Sequence, residues 1–168
     1  TRFCCQYLDK TLFAIVMTLG YNRARKTTGQ TRERKVFDMA VGKRIYLKRH
    51  MPDPEVMMQF KTIPASNTCD VMERNAAMNP RIKLVSSPKD QMMVGPALTV
   101  KARGGDNLAL HAALNMAQEG DVLVVSNEGD NTRALMGEIM MAYLRYTKKV
   151  AGIVLDGPIR DIDEIGKW

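Results

Sequence analysis

Histidine and cysteine are scarce in this sequence, and their scarcity excludes several chemistries at once. The two histidines, His50 and His111, lie too far apart to form a local metal motif. His111 falls on an Ala- and Leu-rich helical stretch, where a partly buried core or interface histidine is expected. Cys4, Cys5 and Cys69 make neither a disulfide framework nor a CxxC zinc pattern. A reducing, cytoplasmic setting is therefore the expectation. Also missing are a GxSxG elbow, a Cys/His pair, a Walker loop and a glycine-rich loop suited to S-adenosylmethionine. The apolar run 12–19 is too short to span a bilayer. It follows Lys10, but no small-residue cleavage site follows it, so neither a membrane span nor a signal peptide is expected.

What is present is the composition of an ordinary globular protein. A chain of 168 residues holds one domain with a real core and is too short for two comfortable ones. Thirteen methionines are unusual, but Met fills cores adaptably and carries no function by itself. The formal charge of +7 invites a nucleic-acid reading, so its location matters. Residues 1–38 hold eight basic and three acidic side chains, and 39–51 add four basic and no acidic ones. The remaining residues carry thirteen basic against fifteen acidic. A nucleic-acid footprint needs a basic face on the folded body, and the body is near neutral, so no nucleic-acid partner is expected.

Residues 21–35 are polar and basic without a hydrophobic period, and the sequence opens on Thr1, with Met39 beginning a stretch that reads as a domain start. Residues 1–38 are therefore expected to be unassigned sequence, a disordered or non-native extension, with one domain over 39–168. Within it, 52–60 reads as a short helix with prolines at its entry. Residues 66–74 read as another, with Ser66 or Asn67 as N-cap. The segment 94–102 is a strand whose Pro96 implies an edge or a strand start. Asp106 is placed to cap a helix running to about Gln118 and ended by Gly120. Residues 121–126 and 150–155 are short apolar runs expected to be strands buried on both faces. A helix ending near 148–149 lies between them, and the turn 156–158 leads into a last helix over 159–165. Alternation of this kind implies an α/β fold with parallel neighbours.

Three places in this layout bear chemistry. Arg160 and Asp161 follow a strand by a tight turn, where α/β proteins place ligands. On one reading Asp161 holds a divalent cation and Arg160 pairs with a substrate oxygen. On the other, Asp161 favours the dipole of the last helix and Arg160 is solvated. Gly137 and Glu138 are the second place: free amides of a helix start can receive a carboxylate, or Gly137 serves close packing beside an exposed Glu138. The third, 104–107, reads as a turn plus an Asp N-cap rather than a phosphate loop. Asp156 is most simply a turn residue before Gly157.

The motifs VGPALTV (94–100), GDNL (105–108), GDVLVV (120–125), ALMGE (134–138) and GIVLDGPIRD (152–161) occur in the order found in the RraA-like family, which the chain resembles from about 43 to 165. That family includes 4-hydroxy-4-methyl-2-oxoglutarate aldolases that also decarboxylate oxaloacetate. The resemblance implies a swivelling-domain-like α/β/β sandwich, assembled as homotrimers or hexamers with sites between subunits. It implies a metal-dependent (class II) carbon–carbon lyase that forms pyruvate through a metal-stabilised enolate. It also implies roles: 137–140 (Gly137, Glu138, Ile139, Met140) as the substrate-binding turn, Arg160 as a catalytic substrate contact, Glu138 as a catalytic group holding a water, and Asp161 as ligand of Mg2+ or Mn2+. The substrate would be a small 2-oxo acid. A non-catalytic branch that binds and inhibits RNase E is the alternative; it tends to lack the carboxylate that Asp161 supplies here. Twenty-one residues separate Glu138 from Arg160, one more than the family's usual spacing, and the extra residue is expected within 145–149. Family members continue past the position of Trp168 with further strands, so an incomplete C-terminal part of the sandwich is expected.

Overall fold

The computed structural model describes residues 3–4, 14–17, 36–39, 43–74, 77–86 and 92–167. Its centre is a sheet in the order β1 (Phe3–Cys4), β2 (Ala14–Met17), β5 (Met93–Lys101), β6 (Val122–Ser126) and β7 (Gly152–Asp156). Strands β2, β5, β6 and β7 run parallel, and β1 lies antiparallel on β2. A separate antiparallel pair is formed by β3 (Val36–Met39) and β4 (Lys43–Tyr46). The stretch 21–35, expected to be disordered, lies outside the described residues.

The parallel register explains why the ends of three strands meet at one level. Lys101 pairs with Ser126, and Ser126 with Asp156, so β5, β6 and β7 finish side by side. Strand β6 is the best-shielded of these, with Val122, Leu123, Val124 and Val125 all buried, as its unbroken apolar run requires. Alternate residues face opposite layers. Leu98, Val100, Leu123 and Val125 join a core with α3 (Leu108–Met116) and α4 (Glu138–Ala142). Val122, Val124 and Val154 face the other side, where Met78 and Ile82 pack. Burying each such side chain contributes about 1.5–3 kcal/mol, so the sheet is the rigid frame of the molecule.

Several expectations are corrected here. Pro96 does not mark a sheet edge, because β5 has neighbours on both sides. It pairs with Met17 at the end of β2, one residue before β6 pairing begins at Ala97, and at such a junction its missing N–H is tolerated. Strand β7 is only half-buried apart from Val154, because among the described residues it has a neighbour on one side only. The helix α2 (Ala65–Val71) starts earlier than expected: Pro64, not Ser66 or Asn67, holds its N-cap position, without a side-chain cap bond. His111 is exposed. The helix α1 (Pro54–Phe60) begins as its sequence dictates, with Pro54 in its first turn and the Asp53 carboxylate accepting from the Glu55 amide at 2.8 Å. At α3 the N-cap position is held by Asn107, without a side-chain cap bond, rather than by Asp106, which lies one residue earlier and accepts from the Leu108 amide at 2.9 Å.

Helix α4 passes directly into a π-helical turn over Tyr143–Thr147, closed by Lys148 N–H donating to the Tyr143 carbonyl at 3.0 Å. An i→i+5 turn of this kind is rare and is mostly found as a single turn at the end of or within an α-helix. Among the described residues, no helix is long and apolar enough to cross a membrane.

Candidate functional site

Two short segments beyond the strand ends carry the site. After β7 the chain runs through Gly157 and Pro158 to Ile159, which forms a parallel bridge with Met136. Leu135 N–H donates to the Pro158 carbonyl and Arg160 N–H to the Met136 carbonyl, both at 3.1 Å. Leu135 and Met136 are each 1% exposed, so this small ladder is anchored in the core. It lays the pair Gly137–Glu138 directly beside Arg160–Asp161, which joins two of the places singled out in the sequence. The third, at 104–107, belongs to the same end of the sheet but leads into α3 as a turn, with the Asp106 carboxylate accepting from the Leu108 amide.

Asp161 adopts a left-handed conformation (φ 62°, ψ 34°) at the N-cap position of α5 (Ile162–Ile165). A non-glycine residue accepts this backbone at a cost, and Asp is among those that tolerate it best. Its carbonyl accepts from Glu164 and Ile165, yet its carboxylate does not cap its own helix. Oδ2 instead accepts from the Glu138 amide of α4 at 3.1 Å, with Arg160 Nε at 3.7 Å. The N-cap residue of α4 is Gly137, which has no side chain to offer. Gly137 also leaves the room: a Cβ there would stand 2.6 Å from Asp161 Oδ2 and 2.7 Å from Arg160 Nε.

The structure therefore brings together Gly137, Glu138, Arg160 and Asp161. Ile139 points outward, 84% exposed, and Met140 packs on the core. One expectation needs refinement. Of the amides at 137–140, that of Glu138 is already bound by Asp161, leaving those of Ile139 and Met140 as the helix-start donors without intrahelical partners. The Arg160 and Asp161 side chains are 73% and 45% exposed, so both meet solvent or a ligand directly.

Among the described residues, no three His, Cys, Asp or Glu side chains stand close enough to share a metal. The donor set is the Asp161 carboxylate, whose second oxygen is free for a ligand beside the Oδ2 that binds Glu138 N–H, with half-buried Glu138 adjacent. A lone hard carboxylate in the open fits a Mg2+-type cation that keeps most of its water, and does not fit a cation caged by protein.

Sequence reasoning missed two contributors. Asp156 is more than a turn residue: its two oxygens accept from Arg81 Nε at 2.7 Å and Nη2 at 2.6 Å. That bidentate pairing raises the Arg81 pKa and pins 77–86 over the strand end. Asn127, just past β6, is completely buried, and its carboxamide contacts two loops. A polar residue directly after an all-buried strand is the one sequence signal that could have marked it. Beside it, Thr132 Oγ1 donates to Asp130 Oδ1 at 2.7 Å and Thr132 N–H at 2.8 Å. These bonds, the hydroxyl's first, hold the Asp130 pKa below its ordinary value.

The family model RraA-like, described as Aldolase/RraA, matches residues 65–168. A Halalkalibacterium halodurans protein named "Putative 4-hydroxy-4-methyl-2-oxoglutarate aldolase" is 38% identical over 108 residues, 64% of this chain and 50% of that protein. The chain thus spans about half the length of this relative. Streptomyces coelicolor RraAS2, described as an unusual member of the RNase ES inhibitor RraA protein family, superposes with a TM-score of 0.55 at 28% identity, over 72% of this chain and 62% of that one. RraA from Thermus thermophilis, described as an RNA-processing inhibitor, shares the fold with a TM-score of 0.51 at 23% identity, over 61% and 60% of the two chains.

Proposed function

From the premise that this chain belongs to the RraA-like family, we propose that it is a divalent-metal-dependent lyase acting on small 2-oxo acids. It would cleave 4-hydroxy-4-methyl-2-oxoglutarate-type substrates to pyruvate and decarboxylate oxaloacetate. The observation that carries this reading is the contact of Asp161 with the start of α4 beside Arg160. A carboxylate, a guanidinium and helix-start amides meet at one exposed point, which suits an anionic keto acid.

The chemistry asks for charge stabilisation at one place. Breaking the C–C bond between the carbons α and β to the ketone releases a ketone or CO2 and sends the bond's electron pair toward the keto oxygen, giving the enolate of pyruvate, which protonation converts to pyruvate. Arg160, exposed beside Asp161, would pair with the substrate's carboxylate or keto oxygen as that charge develops. The Ile139 and Met140 amides can orient the substrate carboxylate. Glu138 would hold the water that takes the hydroxyl proton in the aldol direction. Mg2+ or Mn2+ held by Asp161, largely through water, would supply positive charge beside the same oxygens. Aldol cleavage and decarboxylation share the enolate, so one site serves both.

The same proposal includes a cytoplasmic protein assembled as homotrimers or hexamers. Ile139 and Ile162, exposed at 84% and 53% beside the site, support an apolar contact between copies there. The test is pyruvate formation from 4-hydroxy-4-methyl-2-oxoglutarate, followed by coupled NADH oxidation with Mg2+ or with EDTA. Mg2+-dependent pyruvate is expected. Tight RNase E binding with no turnover would replace this reading with that of a non-catalytic regulator.

A further inference from the structure

Asn127 stands at the point where the three strand-end loops converge, and it bonds to all of them. Its Oδ1 accepts from the Gly105 amide at 3.3 Å, in the loop after β5. Its Nδ2 donates to the Asp130 carbonyl, within its own loop after β6. Its backbone N–H donates to the Asp156 carbonyl at 3.1 Å, at the end of β7. The residue that follows Asp156 is fitted to it: a Cβ on Gly157 would lie 2.9 Å from Asn127 Cβ and 3.0 Å from Nδ2.

The polarity of these partners selects a carboxamide. Gly105 presents a donor and Asp130 an acceptor, so the side chain must offer one of each. A carboxylate would set oxygen against the Asp130 carbonyl, and an apolar side chain would leave the half-buried Gly105 amide without this bond. From Gly157 the chain passes straight to Pro158, Ile159, Arg160 and Asp161, the segment whose ladder with 135–136 brings Asp161 to Glu138. We propose that Asn127 is a positioning residue, which seats the 156–161 loop so that Asp161 and Arg160 face Gly137 and Glu138. This inference rests on the metal-site reading of Asp161 given above. Asn127 touches neither the metal nor the substrate in this account, and acts through Gly157.

The test titrates the full-length chain with Mn2+ alone, reading free Mn2+ by electron paramagnetic resonance. Wild type is compared with Asn127→Ala and Gly157→Ala, which disturb the same contact from opposite sides. Removing outer support of a metal ligand typically weakens metal affinity roughly 10- to 100-fold, and a loss of that size is expected in either variant. Gly157→Ala keeps Asn127 intact, so it gives the answer if Asn127→Ala does not fold. Asp121→Asn supplies the control for a merely structural effect. It breaks a buried pairing with Arg49 (2.9 Å) at the opposite end of β6, and Mn2+ affinity is expected to stay at the wild-type value while the thermal midpoint falls. Folded Asn127→Ala or Gly157→Ala that bind Mn2+ as wild type does overturn the inference and leave the metal site standing. An Mn2+ affinity that falls equally in Asp121→Asn also overturns it. Wild type that binds no Mn2+ overturns the metal-site reading and this inference with it.

Discussion

The Asp161 carboxylate caps a helix that is not its own: Oδ2 accepts the amide of Glu138, the first residue of α4, 23 positions earlier in the chain. One residue thus serves α4 through its side chain and α5 through its carbonyl, in a backbone conformation that most residues avoid. Both demands bear on its replacement. Asn tolerates the left-handed region and keeps an acceptor oxygen, so Asp161→Asn is expected to fold with near wild-type stability. Gly relieves about 1 kcal/mol of backbone cost and loses about 1 kcal/mol of capping, so Asp161→Gly is expected near neutral as well. Ala keeps the cost and loses the cap, so Asp161→Ala is expected to be the least stable, by about 1–2 kcal/mol. Urea unfolding measures this order. All three variants are expected to lose metal-dependent turnover, which separates the chemical role from the structural one.

Gly137 tests the close approach itself. Its φ of −131° and ψ of −174° suit any residue, so Gly137→Ala brings no backbone strain. The added methyl would instead meet Asp161 Oδ2 and Arg160 Nε at 2.6 and 2.7 Å and push the pair aside. A displacement of about 1 Å at a reacting centre costs roughly 100-fold in rate, and that loss in kcat/KM is expected with little change in thermal midpoint. Steady-state kinetics and a thermal melt on the same sample check both halves.

Asp130 makes a pH-dependent contribution whose sign is fixed by its bonds. The Thr132 hydroxyl and then the Thr132 amide favour the carboxylate, lowering its pKa from the ordinary 3.8. The stabilisation is complete above the ordinary value and is lost as pH falls through the folded-state value. Thr132→Ala removes the hydroxyl bond and keeps the amide bond, so the Asp130 pKa is expected to rise part of the way back. The variant should then lose less stability than wild type on acidification below about pH 4. Carboxyl NMR titration reads the shift at this residue.

How far the sequence reveals this molecule depends on the range of the causes. Strand β6 is legible because an unbroken apolar run can be buried on both faces without further information. The helix start at Asp53 is legible because a cap acts within two or three residues, whereas α3 takes Asn107, one residue after Asp106, at its N-cap position. Pro96 misleads because whether its missing N–H matters depends on where β2 ends, a fact held some 80 residues away. Arg160 and Asp161 are visible as a strand-end pair, and Gly137 as a glycine lacking a local reason; their contact comes from the 135–136 and 158–160 ladder, which no local pattern encodes. The Arg81–Asp156 pairing and the bonds of Asn127 are hidden for the same reason. Nothing near them in the chain requires those partners.

The central claim is that Arg160 and Asp161, held against the start of α4, carry metal-dependent carbon–carbon bond cleavage. Pyruvate release from oxaloacetate by the full chain, with and without Mg2+, tests it most directly when wild type is set beside Asp161→Ala and Arg160→Ala. The account predicts Mg2+-dependent release by wild type that falls roughly 100-fold or more in each variant. Release that proceeds at the wild-type rate in both variants would contradict it.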